Sequence, residues 1–155
     1  MSHINIVEIS TECIHKSDCH REICGLYDDS VFLDTCDWGG EPVDNYDKAL
    51  KQIQADLCKV ATVNIRQRTI RFRSKKAVLR AYRRNIAEAY REHLKAIREG
   101  HISNYALEKR IKRACGIDNL YYNNYCLNGG DLIEDYVNGY LPQTLYIGTV
   151  CDGHY

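Results

Sequence analysis

The sequence predicts an α+β domain: an antiparallel sheet of about five to six short strands, packed with two main helices near 44–60 and 75–99 and shorter helices near 103–115 and 131–138. Three observations carry this expectation. Short β-prone runs bounded by turn residues recur at the two ends and in the middle of the chain. Two segments keep apolar residues at helical spacing over about four turns or more. The 155 residues hold no internal repeat, low-complexity tract or linker, so residues 1–155 read as a single domain.

Taken in order, Ile4, Ile6, Val7 and Ile9 form a strand that is apolar on both faces and therefore central in its sheet. Residues 23–27 and 31–35 flank Asp28-Asp29-Ser30 and predict a hairpin. The run Trp38-Gly39-Gly40-Glu41-Pro42 is expected to interrupt any strand. Asp44 followed by Asp47 matches an N-cap with an acid in the first turn, and Tyr46, Leu50, Ile53, Leu57 and Val60 then share one helical face. Val63 and Ile65 alternate, as do Ile70 and Phe72, but the parity flips at Gln67-Arg68, which predicts two strands joined by a turn.

Residues 75–99 give the strongest periodicity in the chain. Leu79, Tyr82, Ile86, Tyr90, Leu94 and Ile97 step by 3, 4, 4, 4 and 3 without a Gly or Pro, and Gly100 closes the helix. This register expects Leu79, Ile86 and Leu94 in the core and Arg84, Arg91 and Lys95 in water. Ser103 can cap the next helix, Asp131 a short one over 132–138 that Gly139 and Pro142 end, and 144–151 reads as a closing strand.

Residues 1–10 lack a basic start and a long apolar run, and no stretch approaches 18 apolar residues. A secretory leader and a membrane span are not expected, and the predicted location is cytoplasmic. The eight cysteines fall below the density of about 8–10% typical of disulfide scaffolds, so reduced thiols are expected. Cys13, His15, Cys19, His20, Cys24 and Cys36 supply soft ligands, but the successive gaps of five, four and eleven residues between the cysteines do not give the two close pairs usual in zinc sites. No metal and no cofactor are predicted. A metal- or thiol-dependent enzyme centred on residues 13–36 is the third of three function classes, and catalysis is not the leading one.

A net charge of zero hides a segregation. Residues 1–60 carry 12 acids and 5 bases (net −7), residues 61–115 carry 16 bases and 4 acids (net +12), and residues 116–155 carry 5 acids and no Lys or Arg (net −5). On the 75–99 helix, Arg80, Arg84, Arg91, Lys95 and Arg98 share one arc beside the apolar residues. That stripe is roughly 27 Å long, comparable to the run of phosphates along a nucleic-acid groove. Lys109, Arg110, Lys112 and Arg113 extend it on the following helix. Glu88 and Glu92 stand where they can pair with Arg84, Arg91 and Lys95, which would leave the stripe a solvated face. Eleven of the sixteen bases are Arg, whose planar fork suits phosphate and carboxylate recognition.

Two further patterns bear on function. Helix, Gly100, Ile102-Ser103 and a basic second helix follow the order of a helix-turn-helix, although Arg110 stands where an apolar residue is expected. The stretch 118–130, with Tyr121, Tyr122 and Tyr125 among Asn and Gly, has the composition of an adaptable interaction loop. The leading expectation is a non-catalytic binding protein that holds nucleic acid or a nucleoprotein complex on the 80–98 stripe and the 109–113 cluster. The alternative is a small inhibitor, of a kind that mobile elements and phages encode, that blocks a host nucleic-acid-handling complex. The partner is then nucleic acid, a nucleoprotein or an acidic protein surface, and not a membrane.

Overall fold

A computed structural model describes residues 3–15, 38–114, 119–123 and 126–154. The hairpin expected at 23–35 lies outside the described residues, as do Cys19, His20, Cys24, Cys36 and Tyr125. The elements run β1 (His3–Ser10), β2 (Trp38–Pro42), α1 (Tyr46–Leu57), β3 (Ala61–Asn64), β4 (Thr69–Phe72) and α2 (Lys75–Arg98). They continue with α3 (Asn104–Ala114), β5 (Leu120–Tyr122), β6 (Cys126–Leu127), α4 (Gly129–Asn138) and β7 (Thr144–His154).

The strands form one sheet in the order β3-β4-β7-β1-β5-β6, with β2 also on β7. Every pairing is antiparallel except β1 with β5. The fold is therefore the α+β class that the sequence predicts. As expected, β1 is central, and Ile4 and Ile6 are buried on one of its faces while Val7 and Ile9 are buried on the other. β7, at 11 residues, is the spine. One edge takes the whole of β1, and the other takes β4 against residues 144–146 and then β2 against 151–154.

That arrangement corrects the reading of 38–42. Trp38-Gly39-Gly40-Glu41-Pro42 does not interrupt the sheet but joins it as β2, because β4 is too short to pair with the far half of β7. The parity flip at Gln67-Arg68 is the β3–β4 turn, where Arg68 takes a left-handed φ of 51°. The helices start at polar caps: Asn45 Oδ1 accepts from Lys48 N at 2.9 Å, one residue after the expected Asp44. For α4 the cap is Asn128 with Asp131 completing a reciprocal box.

β1 and β7 change register between Val7 and Ile9. There the Glu8 carboxylate replaces a ladder bond, accepting from Thr149 N at 2.7 Å. It lies over Gly148, where a Cβ would displace the Glu8 carboxylate and the end of the Ile14 side chain.

The core lies between the sheet and the α1, α2 and α4 helices. Leu50, Ile53 and Leu57 of α1, Val78 and Ala81 of α2, and Leu132, Ile133 and Tyr136 of α4 meet Val7, Ile70, Phe72, Leu145 and Ile147 of the strands. Tyr121 belongs to this core and is 0% exposed, so it is not a residue of an interaction loop. Among the described residues its hydroxyl makes no hydrogen bond of good geometry, although the Asn119 side chain stands close enough to favour the ionised phenol. Asn119, beside it, accepts from Asn5 N through Oδ1 and donates from Nδ2 to Asp56. Burial pushes the phenol well above its ordinary pKa, and the Asp56 carboxylate pushes in the same direction. A buried hydroxyl without a well-placed partner carries a desolvation penalty of about 1–3 kcal/mol. Tyr121→Phe is therefore expected to raise the midpoint of urea unfolding, and a lowered midpoint would mean that the hydroxyl is satisfied in solution.

Candidate binding arm

Nothing in α2 breaks a helix: it has no Gly or Pro, and Ala, Arg, Lys, Glu and Leu fill most of its positions. Ser74 caps it, Oγ accepting from Ala77 N at 3.3 Å. Lys95 and Arg98 in the last turn suit the negative end of the helix dipole. The chain leaves through Gly100 at φ +89°, a conformation that L side chains resist. At 24 residues α2 is about 36 Å long, and only its first turns reach the core.

Beyond Tyr82 the helix becomes one half of an arm. α3 returns along it and packs chiefly on it. Ser103 Oγ starts α3 by accepting from Ala106 N at 3.2 Å. His93 and Arg110 meet across the pair at 2.8 Å. Each lies about eight residues from the middle of the turn, roughly 12 Å along its helix. α2 and α3 thus pack on each other on either side of the turn at Gly100, with His93 and Arg110 as a polar contact between them.

The seam that α2 buries is Val78, Ala81, Asn85, Ala89 and His93. This corrects the expected register by one residue. Leu79 and Ile86 are half-buried, and Leu94 is 53% exposed. The reason is packing: Ala81 and Ala89 let other elements approach closely, while the polar members of the seam find partners. Lys59 Nζ donates to Asn85 Oδ1 at 3.4 Å, and Arg110 Nη1 donates to His93 Nδ1. Helical reading weighted toward large side chains selects the wrong ridge here. The signal it passed over is the i, i+4 ladder 81, 85, 89, 93.

Arg80, Arg84, Arg91, Lys95 and Arg98 are all exposed, as the stripe requires, and so is Lys109. Among the described residues none of Arg80, Arg84, Lys95 and Arg98 has a carboxylate partner, and Arg91 Nε donates to Ala87 O at 3.2 Å. Glu88 and Glu92 are exposed as well, and among the described residues neither forms an ion pair with the stripe. Lys109 Nζ stands 5.8 Å from the Tyr105 ring centre. The 109–113 cluster does not act as a unit: Arg110 is half-buried and committed to His93, while the side chains of Lys112 and Arg113 lie outside the described residues. Tyr122 is half-buried on β5.

The arm also exposes apolar surface, and three of these residues, Tyr90, Leu94 and Ile97, belong to the face expected in the core. Tyr90 is 47% exposed, Leu94 53%, Ile97 40%, and at the turn and the start of α3 Ile102 is 82% and Tyr105 71% exposed. Arg66 and Arg71 belong elsewhere, lining an open groove of about 460 Å³ on the β3–β4 hairpin with Gln54, Thr62, Asn64 and Gln67.

Arg110→Ala tests the structural role of that side chain. It would leave a buried ring nitrogen without its donor, at a cost of about 1–3 kcal/mol. Amide exchange along α3 should then speed up by roughly 5- to 150-fold relative to wild type. Unchanged exchange would return Arg110 to the set of partner-contacting residues.

Cys13 and Cys58 are exposed thiols and Cys151 a buried one. Among the described residues no three His, Cys, Asp or Glu side chains converge to hold a metal, and no helix is long and apolar enough to cross a membrane. No family model, curated protein or solved structure matches the chain.

Proposed function

We propose that this chain is a non-catalytic interaction protein that holds an acidic protein partner on its α2–α3 arm. The observation that carries the reading is the exposure of Tyr90, Leu94 and Ile97 directly beside the exposed cations Arg91, Lys95 and Arg98. Cations alone fit any polyanion. An open apolar ridge at their side favours protein, because interface cores between proteins are rich in aromatic and aliphatic side chains whereas nucleic-acid interfaces are more polar and more strongly charged. The chain would act by occupying its partner, as an inhibitor of a larger complex does.

Nucleic acid or a nucleoprotein is the second reading, supported by the roughly 27 Å run of cations from Arg80 to Arg98. Affinity capture from the native cell, with wild type beside a variant carrying Ala at Arg84, Arg91, Lys95 and Arg98, tests the proposal. A protein retained by the wild type after nuclease treatment and lost by the variant supports it. Retention of nucleic acid alone would move the second reading ahead, and capture of the same species by both would end the arm's role.

A further inference from the structure

Resting on that reading, we infer that the occupant of the arm is an acidic amphipathic α-helix of the partner, laid along α2 across two parallel rails. One rail is Tyr90, Leu94 and Ile97, and the other is Arg91, Lys95 and Arg98. They have the same steps, 4 and then 3, and are offset by one residue, so each of these three apolar side chains is followed by a cation. Leu79 with Arg80 begins the same pattern nearer the sheet.

The pattern specifies its complement. A helix presents side chains on one face at i, i+4 and i+7, which is the spacing of both rails. A partner helix with apolar residues at that spacing seats them on the Tyr90–Leu94–Ile97 ridge. Carboxylates one position away then meet the guanidinium and ammonium groups. An extended strand does not fit, since its same-face residues repeat every second position, at about 6.6–6.8 Å, and drift out of step with the 4-3 spacing.

α2 carries two adjacent seams, and the described residues fill one. The seam 78-81-85-89-93 is buried by the core and by α3, while the ridge 90-94-97 beside it stays open. The ridge is rich in Leu, Ile and Tyr, which lower the free energy of a helix surface only when covered. The missing cover is on the side where the cations stand. A second copy of this chain is a poorer occupant along α2 itself, because two stripes of like charge would face each other.

The test uses the full chain and three labelled synthetic peptides of about 18 residues, read by fluorescence anisotropy. The first is a designed helix with Leu at 4-3 spacing flanked by Glu, the second has Lys in place of Glu, and the third has Ser in place of Leu. The inference expects the first peptide to bind at least about tenfold more tightly than either of the others. Leu94→Ser with Ile97→Ser should weaken the first peptide by about tenfold or more while the chain stays folded at the assay temperature, because both side chains are about half exposed and lie outside the core. Equal binding of the Leu and Ser peptides, or indifference to Leu94→Ser with Ile97→Ser, overturns the helix. Tighter binding of duplex DNA than of the acidic peptide, unaffected by that pair, moves the arm to nucleic acid. Self-association in sedimentation that the same pair abolishes assigns the ridge to a second copy. If no anionic probe binds at about 50 mM salt, where attraction is strong, the proposed function fails together with this inference.

Discussion

Phe72→Ala is expected to lower the free energy of unfolding by about 3–5 kcal/mol, the range for removing a fully buried aromatic ring. Phe72 is 1% exposed and stacks on Tyr136, with ring centres 4.4 Å apart and planes 12° from parallel. The contact ties β4 to α4 and is reinforced on every side. Tyr136 Oη donates to Arg73 O at 2.7 Å, Phe72 N donates to Gln143 O at 2.8 Å, and Gln143 Nε2 donates to Phe72 O at 3.0 Å. Because these bonds hold the backbone in place, the cavity has little freedom to collapse, which argues for the upper part of the range. A loss of 3–5 kcal/mol is a large share of the roughly 5–15 kcal/mol by which a domain is stable. It should lower the melting temperature by about 6–20 °C at this chain length. Urea unfolding measures it directly, with a lower midpoint at unchanged slope. Phe72→Leu, which keeps most of the volume, should cost less than about half as much. A loss below 1 kcal/mol for Phe72→Ala would mean that the β4–α4 contact is not a rigid part of the core.

What the sequence made legible was local chemistry, and what it concealed was decided between elements. Ser103, Gly100 and Gly139 mark helix ends by their own backbone and hydroxyl preferences, and each stands where the structure uses it. The β3–β4 turn was legible for the same reason, because Gln67-Arg68 breaks an alternation that depends only on the pleat. β2 was not, since Trp38-Gly39-Gly40-Glu41-Pro42 has poor strand propensity and pairs only because β7 outruns β4. Leu120-Tyr121-Tyr122 read as loop among Asn and Gly, yet a parallel pairing with β1 sets it in the sheet and sends Tyr121 to the core. Within the arm, the cations were found by counting, because exposure is the default for charge. The ridge was misplaced because periodicity locates an apolar face without saying which of two adjacent seams the rest of the chain will cover.

Replacing Arg84, Arg91, Lys95 and Arg98 together by Ala is the change expected to affect binding most. If each makes one exposed ion pair with a partner carboxylate, worth about 0.2–1 kcal/mol, the four contribute about 1–4 kcal/mol. Affinity should fall by roughly 4- to 700-fold, at about 1.4 kcal/mol per tenfold. The fold itself should be indifferent, since all four side chains are exposed and none holds a carboxylate of the described chain. Salt distinguishes the two anionic partner classes. For duplex DNA each lost phosphate contact flattens the slope of log K against log[salt] by about 0.9, so four remove about 3.6. Between 50 and 200 mM salt the wild type would then lose about 150-fold more affinity than the variant. An acidic helix seated on Tyr90, Leu94 and Ile97 keeps its apolar contacts at any salt. The wild type should then lose only the screened ionic part, and the variant should retain residual binding that Leu94→Ser removes. Affinity within twofold of wild type in the fourfold variant, for every anionic partner tried, would assign the stripe to solvent.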